Sequence, residues 1–481
     1  MLIDNMKKKF YITTAIDYVN GKPHIGHALE KIQADVLARY HRLSGEDVLY
    51  LTGTDENSLK NVQTAEKEHM PVKEFVDKNY REFYKLRDAL KLSFDEFIRT
   101  TEKKHVNGAQ KLWEACKKDI YRKTYRGLYC VGCEEFYKEA ELEDGVCPEH
   151  KTRPEMVEEI NYFFRLSRYQ QQLKELIEKD ELKIVPEVRK NEILSFINKG
   201  LEDICVSRSK ERAHGWGIPV PGDKSQIIWV WFDALSNYIT ALDYATDSKQ
   251  FQDWWVDNEN TLHVIGKGIL RFHSVYWPGM LLSAGVPLPQ KIFAHGYITV
   301  NGQKMSKSIG NVIDPFGLVK KYGADAVRYF LLREIPSLED GDFTYEKFEH
   351  RYNSDLANGL GNLVARTMSL ANKLKVNKSE TLASDIKVSL DRAQSELEKS
   401  IENFKFNEAL AAIWSAVSFL DKYIEVKEPW KDGEGAPKVI SQTLSALEQI
   451  AILLKPFLPG ASEKILKQLE TKKSEPLFAR L

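Results

Sequence analysis

The sequence predicts an α/β protein with a doubly wound parallel sheet, which an inserted module interrupts and an all-helical domain follows. Three observations support this prediction. Strand and helix patterns alternate at the start, the alternation breaks between residues 116 and 225, and strand patterns become scarce after about residue 345. A chain of 481 residues also exceeds the ~250–300 residues that one hydrophobic core usually serves, so more than one domain is expected.

The first elements follow one another in the order strand, loop, helix, strand. Residues 9–16 form a short apolar run typical of a buried strand, and the turn residues Asn20, Gly21 and Pro23 come after it. Apolar residues then recur at helical spacing, at Ile25, Leu29, Ile32, Val36 and Tyr40. A second strand is predicted at 48–52. This order is the opening of a doubly wound sheet.

The remaining patterns divide the chain into five regions. Strand patterns return at 227–231, 261–265 and 292–295. Helical spacing then dominates in the segments 360–374, 409–424 and 444–458, with a helix–helix loop at 431–437. The predicted domains are 1–115 and 226–290 for the two halves of the sheet domain, 116–225 for the insertion, 291–345 for a linking subdomain and 346–481 for the helical domain.

Composition excludes several classes of protein. The sequence contains no apolar run near the ~18 residues that a membrane span needs, and its basic start lacks the cleavage site of a signal peptide. The net charge of -1 means that a phosphate-bearing partner would have to meet local basic surface. The five cysteines do not suggest a disulfide framework, because the chain is long and lacks a signal sequence. We expect a cytoplasmic protein without membrane contact.

The first candidate motif is His24-Ile25-Gly26-His27, at the point where the first strand gives way to a helix. The free N–H groups and the dipole of a helix N-terminus favour phosphate there. Gly26 would let a ring or a ribose approach the backbone, and the two imidazoles can both donate to phosphate. Two surface histidines on an ordinary first helical turn explain the motif about equally well.

The second candidate motif is Lys304-Met305-Ser306-Lys307-Ser308. It follows a predicted hairpin at 297–300 whose turn is 301–302. Two lysines and two hydroxyls in a loop suit a pyrophosphate leaving group, because the lysines neutralise the charge that builds on it. For an isolated lysine pair, a solvated basic loop is the commoner explanation.

The third candidate site contains Cys130, Cys133, Cys147 and His150. The ligands form two pairs, Cys130 with Cys133 and Cys147 with His150, and two residues separate the members of each pair. Together the four can close a tetrahedron around one structural zinc ion. Such a closed site leaves no open position for catalysis. The alternative is a cluster of free thiols without a metal. Cys116 and Cys205 lie outside the spacing and are expected to be packed thiols.

The histidine and lysine motifs stand about 280 residues apart, both in the α/β half. Together they resemble the class I aminoacyl-tRNA synthetases, which carry such a signature and such a loop. Nearly the whole chain is similar to the methionyl-tRNA synthetase family, of the type with a single zinc knuckle. The similar stretches include TTAIDYVNGKPHIGHALEKIQADVLARY, SRSKERAHGWGIPVPGD, VWFDALSNYIT and ILRFHSVYWPGML.

The resemblance implies a Rossmann-like catalytic domain at 1–115 and 226–290 and an α-helical anticodon-binding domain at 346–481. It implies activation of L-methionine by ATP with Mg²⁺, followed by transfer to initiator and elongator tRNA(Met). Some family members carry an additional dimerising module after the helical domain; because this sequence stops at Leu481, we expect a monomer.

The resemblance also assigns residues. It implies that His24 and His27 stabilise the transition-state phosphate, and that Lys304 and Lys307 hold the departing pyrophosphate. The implied ATP-binding residues are His24, Gly26, His27, Lys304, Ser306, Lys307 and Ser308. The implied methionine-binding residues are Asp55 for the ammonium, Arg208 as its basic partner, and a thioether pocket of Ile16, Tyr18, Trp231, Ala234, Leu235, Tyr238, Ile269, His273 and Trp277. The implied anticodon-binding residues are Asn362, Arg366 and Trp430.

The residues alone leave some of these assignments open. For any one pocket aromatic, ordinary core packing is the commoner explanation. From the sequence alone, packing within the helical bundle is also the better explanation of Trp430, and the family resemblance reverses this. Two departures from the family also stand out. Residues 55–58 have the sequence Asp-Glu-Asn-Ser where the family usually has Asp-Glu-His-Gly. Gly268 replaces an aspartate that is expected to contact the adenosine ribose, which puts this contact in doubt.

Three other functions compete with this interpretation. A small-molecule nucleotidyltransferase would share the histidine motif but has no need of a zinc insertion or of Trp430. An RNA-binding paralogue that has lost the activation reaction finds some support in Asn57 and Gly268. The presence of His24, His27, Lys304, Lys307 and Asp55 argues against it. The related enzymes for leucine, isoleucine or valine resemble longer chains with a large editing insertion, for which about 110 inserted residues leave little room.

Overall fold

The computed structural model describes residues 7–133, 135–149, 151–305, 310–379, 381–431 and 434–479. Four predicted site residues lie outside these ranges: His150, Ser306, Lys307 and Ser308. The chain forms two compact units. The first comprises Met1–Pro23, Gly45–Lys85 and Phe94–Ala294, and the second comprises His24–Ser44, Leu86–Ser93 and His295–Leu481.

The strands, in chain order, are β1 Lys9–Thr14, β2 Asp17–Tyr18, β3 Asp47–Asp55, β4 Glu96–Arg99, β5 Ile120–Cys130, β6 Glu135–Tyr137, β7 Glu155–Phe164, β8 Lys183–Val185, β9 Ile204–Cys205, β10 Ser207–Ser209, β11 Pro219–Val220, β12 Asp223–Ile228, β13 Thr261–Gly266, β14 Lys291–His295, β15 Ile298–Val300, β16 Gln303–Lys304 and β17 Gly341–Phe343.

The helices are α1 Ile25–Leu43, α2 Leu59–Lys67, α3 Val72–Tyr84, α4 Leu86–Ala89, α5 Lys103–Ala115, α6 Gln170–Glu178, α7 Glu187–Asn198, α8 Val230–Leu235, α9 Asn237–Thr240, α10 Lys249–Phe251, α11 Trp277–Ala284, α12 Pro315–Tyr322, α13 Ala324–Arg333, α14 Tyr345–Arg351, α15 Asn362–Leu374, α16 Ser384–Glu402, α17 Phe406–Lys427, α18 Ala436–Leu454 and α19 Pro459–Thr471. Among the residues described, no helix has the length and apolar character needed to cross a membrane.

The first unit is built on a parallel sheet with the strand order β2–β3–β1–β13–β14–β8, and β4 also pairs with β3. The central strand β1 pairs in parallel with β3 on one side and with β13 on the other. The chain thus winds away from β1 in both directions, which confirms the predicted doubly wound sheet. In such sheets ligands bind beyond the carboxyl ends of the strands at the point of reversal, here beyond β1 and β13.

Most sequence-predicted strands are confirmed, but one is wrong. The strands predicted at 9–16, 48–52, 261–265 and 292–295 correspond to β1, β3, β13 and β14. The segment 227–231 does not join the parallel sheet. Its first residues end β12, which lies in a separate antiparallel sheet with β10 and β11, and Trp231 belongs to helix α8. A short apolar run has the same pattern in a strand and in a buried helix, so its periodicity could not separate them.

The inserted module contains structure that the sequence patterns did not reveal. Strands β5 and β7 pair in an antiparallel ladder from Ile120 and Phe164 to Tyr129 and Glu155. With β6 and β9 they form a four-stranded sheet. The polar and charged composition of this segment hid the ladder, because much of the β5–β7 sheet is exposed to solvent.

The second unit contains α1, α4 and the mostly helical C-terminal part of the chain from His295 onward. Predicted helices at 360–374, 409–424 and 444–458 correspond to α15, α17 and α18, although α18 ends at Leu454. Helix α16 was not predicted. The hairpin is confirmed: β15 pairs with β16, and both turn residues, Asn301 and Gly302, have positive φ angles of 51° and 73°. This is the turn that matches the twist of the flanking strands.

A fully buried guanidinium joins the three chain segments of the second unit. Arg328 on α13 donates to Asp35 Oδ2 of α1 at 2.8 Å. It also donates to the carbonyl of Leu90 at 3.1 Å and to those of Pro456 and Phe457 at 2.9 and 2.6 Å. Burial alone would raise the pKa of Asp35, but the charges of Arg328 and Arg39 bring it below its ordinary value. The ion pair therefore keeps a charged carboxylate inside the unit.

Replacing Arg328 with methionine is expected to lower the free energy of unfolding by about 3–5 kcal/mol, because Asp35 would keep a buried charge without its principal partner. Denaturant unfolding at pH 7 measures this loss. The double variant Asp35→Leu/Arg328→Met removes both charges and is expected to lose less. Equal losses in the two variants would contradict an ion-pair origin of the effect.

Candidate active site

The carboxyl end of β3 presents a buried carboxylate. Asp55 is the last residue of this strand and is only 3% exposed. Its Oδ1 accepts a hydrogen bond from the backbone N–H of Asn57 at 3.2 Å, and its carbonyl accepts one from Asn61 Nδ2 at 3.0 Å. The backbone on both sides of the carboxylate is thereby fixed, so Asp55 is a preoriented acceptor for a cation.

Aromatic side chains form a continuous cluster in the same unit. Trp231 on α8 stacks on Phe272, with ring centroids 3.7 Å apart and an interplanar angle of 5°. The edge of Tyr18 meets Trp231 at 6.5 Å. These flat walls carry few polar groups and suit a flexible, polarizable ligand side chain such as a thioether. Phe272 was missed at the sequence level, where its π-helical turn, Phe272–Tyr276, gives no distinct pattern.

A polar pair is embedded among these rings. The carbonyl of Ile269 lies 2.9 Å from His273 Nδ1, which must therefore carry a proton. In the neutral ring Nε2 is then an acceptor. The Tyr238 hydroxyl donates a hydrogen bond to it, with 2.7 Å between the oxygen and Nε2. Tyr238 is therefore the donor and His273 the acceptor within this buried pair.

The residues implied to bind methionine all lie in the first unit. The buried ones are Asp55, Arg208, Ala234, Leu235, Tyr238, His273 and Trp277. The half-buried ones, which pack against the same core and retain some exposure, are Ile16, Tyr18, Trp231 and Ile269. Partial exposure at these four positions fits the mouth of a pocket better than the interior of a core.

Arg208 lies in the sheet of β10, β11 and β12, where its guanidinium faces aromatic rings. Its Nη1 donates to the carbonyl of Ser207 at 2.7 Å and contacts the sulfur of Cys205 at 3.2 Å. The rings of Tyr129 and Trp229 lie 5.0 and 5.7 Å from its Cζ. Arg208 is therefore held by aromatic faces, the backbone oxygen of Ser207 and the sulfur of Cys205, and its role as the partner of Asp55 stays a prediction.

The two departures from the family have different local consequences. Ser58, in the position of the usual glycine, is the N-cap of α2, and its hydroxyl accepts from Asn61 N at 3.3 Å. Asn57, in the position of the usual histidine, donates to Asp233 Oδ2 at 2.8 Å. Gly268 lies exposed in the short turn after β13. The structure thus gives both loop residues new partners and leaves position 268 without a side chain.

In the second unit, His24 and His27 form a reciprocal cap on α1. His24 Nδ1 accepts from the backbone N–H of Gly26 at 3.1 Å, and His27 Nδ1 accepts from the backbone N–H of His24 at 3.0 Å. The two rings stack with centroids 3.7 Å apart. Because both Nδ1 atoms accept, the proton of each neutral ring lies on Nε2. The cap therefore fixes the tautomer of both imidazoles, each with its N–H at Nε2.

This geometry corrects one expectation about the helix N-terminus. The N–H groups of Ile25 and Gly26 are not free for phosphate, since they donate to the carbonyl of Ile313 at 3.1 Å and to His24 Nδ1. The backbone N–H groups at these two positions are therefore already satisfied within the protein. The sequence could not show this, because the acceptor Ile313 is remote along the chain.

The absence of a side chain at Gly26 leaves space for the His24 ring. A Cβ at this position would lie 3.0 Å from both Cε1 and Nδ1 of His24, and 3.6 Å from Cε of Met305. Met305 belongs to the predicted lysine loop, of which Lys304 is exposed at the end of β16. The loop therefore begins close to the first turn of α1.

Three cysteines form the candidate metal centre. The Sγ atoms of Cys130, Cys133 and Cys147 lie within 4.8 Å of one another, and those of Cys133 and Cys147 are 3.3 Å apart. Thiolates around tetrahedral zinc stand roughly 3.8 Å apart, from Zn–S bonds of about 2.3 Å. Burial and the neighbouring thiols raise the pKa of Cys133, a cost that a bound cation would reverse. The donor set fits a soft divalent metal.

The metal centre also touches the aromatic pocket. Trp231 Nε1 donates to the backbone carbonyl of Cys133 at 3.3 Å. The single polar atom of this indole is thus anchored on the cysteine loop. The cysteine cluster and the pocket wall were predicted as separate features, and 98 residues separate the two partners in sequence.

The residues implied to read an anticodon lie together in the helical half. Asn362 is exposed and Arg366 half-buried on α15. Trp430 is 40% exposed, so it is not packed inside the bundle, and its ring lies 5.9 Å from the Arg366 Cζ. Arg366 is held in turn by Asp421 Oδ1 at 2.7 Å. An exposed indole beside a guanidinium suits stacking on an unpaired base.

Comparison with family models gives two matches. The model described as "tRNA synthetases class I (M)" matches residues 10–153 and 138–368. The model described as "Anticodon-binding domain of tRNA ligase" matches residues 384–478.

Known proteins with similar sequences are methionine--tRNA ligases. That of Brucella suis is 44% identical over 98% of this chain and 94% of its own length. That of Thermotoga maritima is 41% identical over 96% of this chain and 75% of its own length. A similar solved structure is Mycobacterium tuberculosis methionyl-tRNA synthetase in complex with methionyl-adenylate, with a TM-score of 0.91 and 38% identity over 98% of this chain and 100% of that chain.

Replacing Gly26 with alanine is expected to displace the His24 ring and remove its cap on α1, at a cost of about 1 kcal/mol. Denaturant unfolding measures the cost, and long-range ¹H–¹⁵N spectra of the imidazoles should show Nε2–H rings before the change and an altered His24 after it. Gly317→Ala is the matched control, because its Cβ would make only ordinary contact, 3.5 Å from Asp314 Oδ2. An unchanged His24 signal in Gly26→Ala would refute the steric argument.

Proposed function

The chain belongs to the class I methionyl-tRNA synthetase family, and from this membership we infer that it activates L-methionine with ATP and transfers it to tRNA(Met). The first step yields methionyl-adenylate and pyrophosphate, and the second esterifies the 3′-terminal adenosine of the tRNA. One observation carries this conclusion: the buried carboxylate Asp55 and the aromatic cluster of Tyr18, Trp231 and Phe272 occur in one unit.

For the first step, we propose that Asp55 accepts hydrogen bonds from the methionine ammonium while the thioether lies among the aromatic rings. The substrate carboxylate then attacks the α-phosphate of ATP in line, and the bond to pyrophosphate breaks. The Nε2–H groups of His24 and His27 donate to the phosphate oxygens as charge builds on them. Lys304 and Lys307, together with Mg²⁺ bound to ATP, neutralise the departing pyrophosphate.

For the second step, a ribose hydroxyl of the terminal adenosine attacks the methionyl carbonyl and AMP leaves. We propose that Asn362, Arg366 and Trp430 select the tRNA by its anticodon. Stacking of a base on Trp430 is worth about 1–3 kcal/mol. The exposure of the indole and its proximity to Arg366 support this role.

Zinc is the metal we propose for the cysteine cluster, with His150 as the fourth ligand. Bound there, it would supply structural crosslinking of the insertion and no chemistry toward the substrates. Cys130 ends β5, Cys133 lies between β5 and β6, and Cys147 lies in the segment between β6 and β7, so a metal would join that segment to the end of β5.

Methionine-dependent exchange between ATP and pyrophosphate is the test of the first step. Wild type is expected to show exchange, and its absence in purified, zinc-replete protein would contradict the function. Asp55→Asn keeps the side chain's size but removes its charge. A lost charged hydrogen bond of about 1.5–3 kcal/mol should raise the KM for methionine roughly 10- to 100-fold while leaving the KM for ATP nearly unchanged.

The same exchange assay tests the effect of Gly268, which lies in the short turn after β13. If ribose binding lacks its usual acidic partner, Gly268→Asp is expected to lower the KM for ATP without changing the KM for methionine. An unchanged or higher KM for ATP would indicate that another residue of this chain holds the ribose.

Metal analysis tests the cysteine cluster. We expect one zinc ion per chain, retained in the control Cys116→Ala, whose buried thiol lies outside the cluster, and lost in Cys147→Ala. Because the thiols must lose protons to bind and the pKa of Cys133 is raised, the apparent affinity should increase from pH 6 to pH 8. Affinity that does not change with pH would argue against thiolate ligands.

A further inference from the structure

Asn57 connects the loop after β3 to the helix that lines the aromatic pocket. One proton of its Nδ2 goes to Asp233 Oδ2 at 2.8 Å, and the other goes to the carbonyl of Thr100 at 3.1 Å. Both partners are acceptors, so chemistry fixes the orientation of the amide. Its backbone N–H meanwhile donates to Asp55 Oδ1 at 3.2 Å. A single residue thus contacts both the candidate ammonium-binding acid and helix α8.

Asp233 is a rigid partner for this amide. It is fully buried, and its other oxygen lies 2.6 Å from His105 Nε2. His105 is also fully buried, and its Nδ1 lies 2.8 Å from Thr240 Oγ1 on α9. Buried polar groups with all partners present hold one geometry, because any displacement leaves a desolvated charge or donor unpaired. Helices α5, α8 and α9 are therefore locked around the Asp233 carboxylate.

The position of Asp233 in the sequence links this hydrogen-bond network to the methionine pocket. In α8 it stands between Trp231 on one side and Ala234 and Leu235 on the other, three residues assigned to the methionine pocket. A shift of Asp233 would therefore shift the pocket wall. A shift of Asn57 would move Asp55, which is two residues away.

We propose that Asn57 and Asp233 are positioning residues that set the spacing between the ammonium-binding carboxylate and the aromatic wall. Methionine has a fixed length between its ammonium and its thioether, so the spacing determines which side chain fits while the ammonium is held. Small displacements of a substrate have large effects on reactivity. This proposal rests on the function inferred above and identifies a specificity determinant within it.

The amide of Asn57 can donate to Asp233 and to Thr100 at the same time, which a neutral histidine, the family's usual residue here, cannot do. It offers two N–H donors in one plane from one atom, and both are used here. A neutral imidazole has a single N–H donor. With its imidazole neutral, Asn57→His can keep at most one of the two contacts and is expected to show an intermediate effect.

The test compares steady-state kinetics of Asn57→Ala with those of wild type in the exchange assay, using methionine and its longer analogue ethionine. We expect the KM for methionine to rise about tenfold, the KM for ATP to stay within about twofold, and the preference for methionine over ethionine to fall. Asn57→Asp would place two carboxylates side by side and should exceed Asn57→Ala in each effect.

Asn258→Ala is the matched control. Asn258 lies in the same unit, is 5% exposed, and its amide likewise donates to a backbone carbonyl, that of Trp254, at 3.1 Å. Its removal should lower thermal stability without changing the methionine KM or the preference over ethionine. A merely structural role for Asn57 would give that same result.

The outcomes separate this proposal from the function on which it rests. An unchanged methionine KM and an unchanged preference in Asn57→Ala, beside a raised KM in Asp55→Asn, would overturn the positioning role alone. Absence of methionine-dependent exchange in wild type would overturn the function. If Asn57→Ala does not fold, Asp233→Asn, which keeps the side chain's volume, carries the same comparison.

Discussion

The helical unit depends on the buried ion pair between Arg328 and Asp35. The unit is assembled from three separate stretches of chain, and Arg328 contacts each of them: α1 through Asp35, the segment after α4 through Leu90, and the segment before α19 through Pro456 and Phe457. The histidine cap stands at the start of α1. Asp35, which anchors α1 to the rest of the unit, lies on the same helix as this cap.

In the first unit, polar contacts likewise fix the residues at the carboxyl end of β3. The last residue of β3, Asp55, is the acidic residue implied to bind the substrate ammonium, and hydrogen bonds fix its neighbour Glu56. Glu56 accepts from Arg99 at 2.7 Å, and its carbonyl accepts from Trp216 at 2.8 Å. A carboxylate kept in place by such contacts needs little rearrangement when a cation arrives.

Sequence patterns predicted what depends on near neighbours. The runs that became β1 and β3, the helical face of α1 and the turn at Asn301–Gly302 are all local signals. The patterns failed at 227–231, where one apolar run suits strand or helix. They also could not reveal pairs such as Asn57 with Asp233, which are 176 residues apart. Residue types and spacing suggested the cysteine cluster, but not its contact with Trp231.

That contact has a thermodynamic consequence. If Trp231 moves when the cysteine loop loses its cation, the pocket and the cluster are coupled, and coupling between two sites acts equally in both directions. If a bound metal strengthens ligand binding in the pocket by a given free energy, a bound ligand strengthens metal binding by the same amount. A centre with no part in the chemistry would then bind its ion more tightly while the pocket is occupied, with the 3.3 Å hydrogen bond from Trp231 Nε1 to the Cys133 carbonyl as the link between the two.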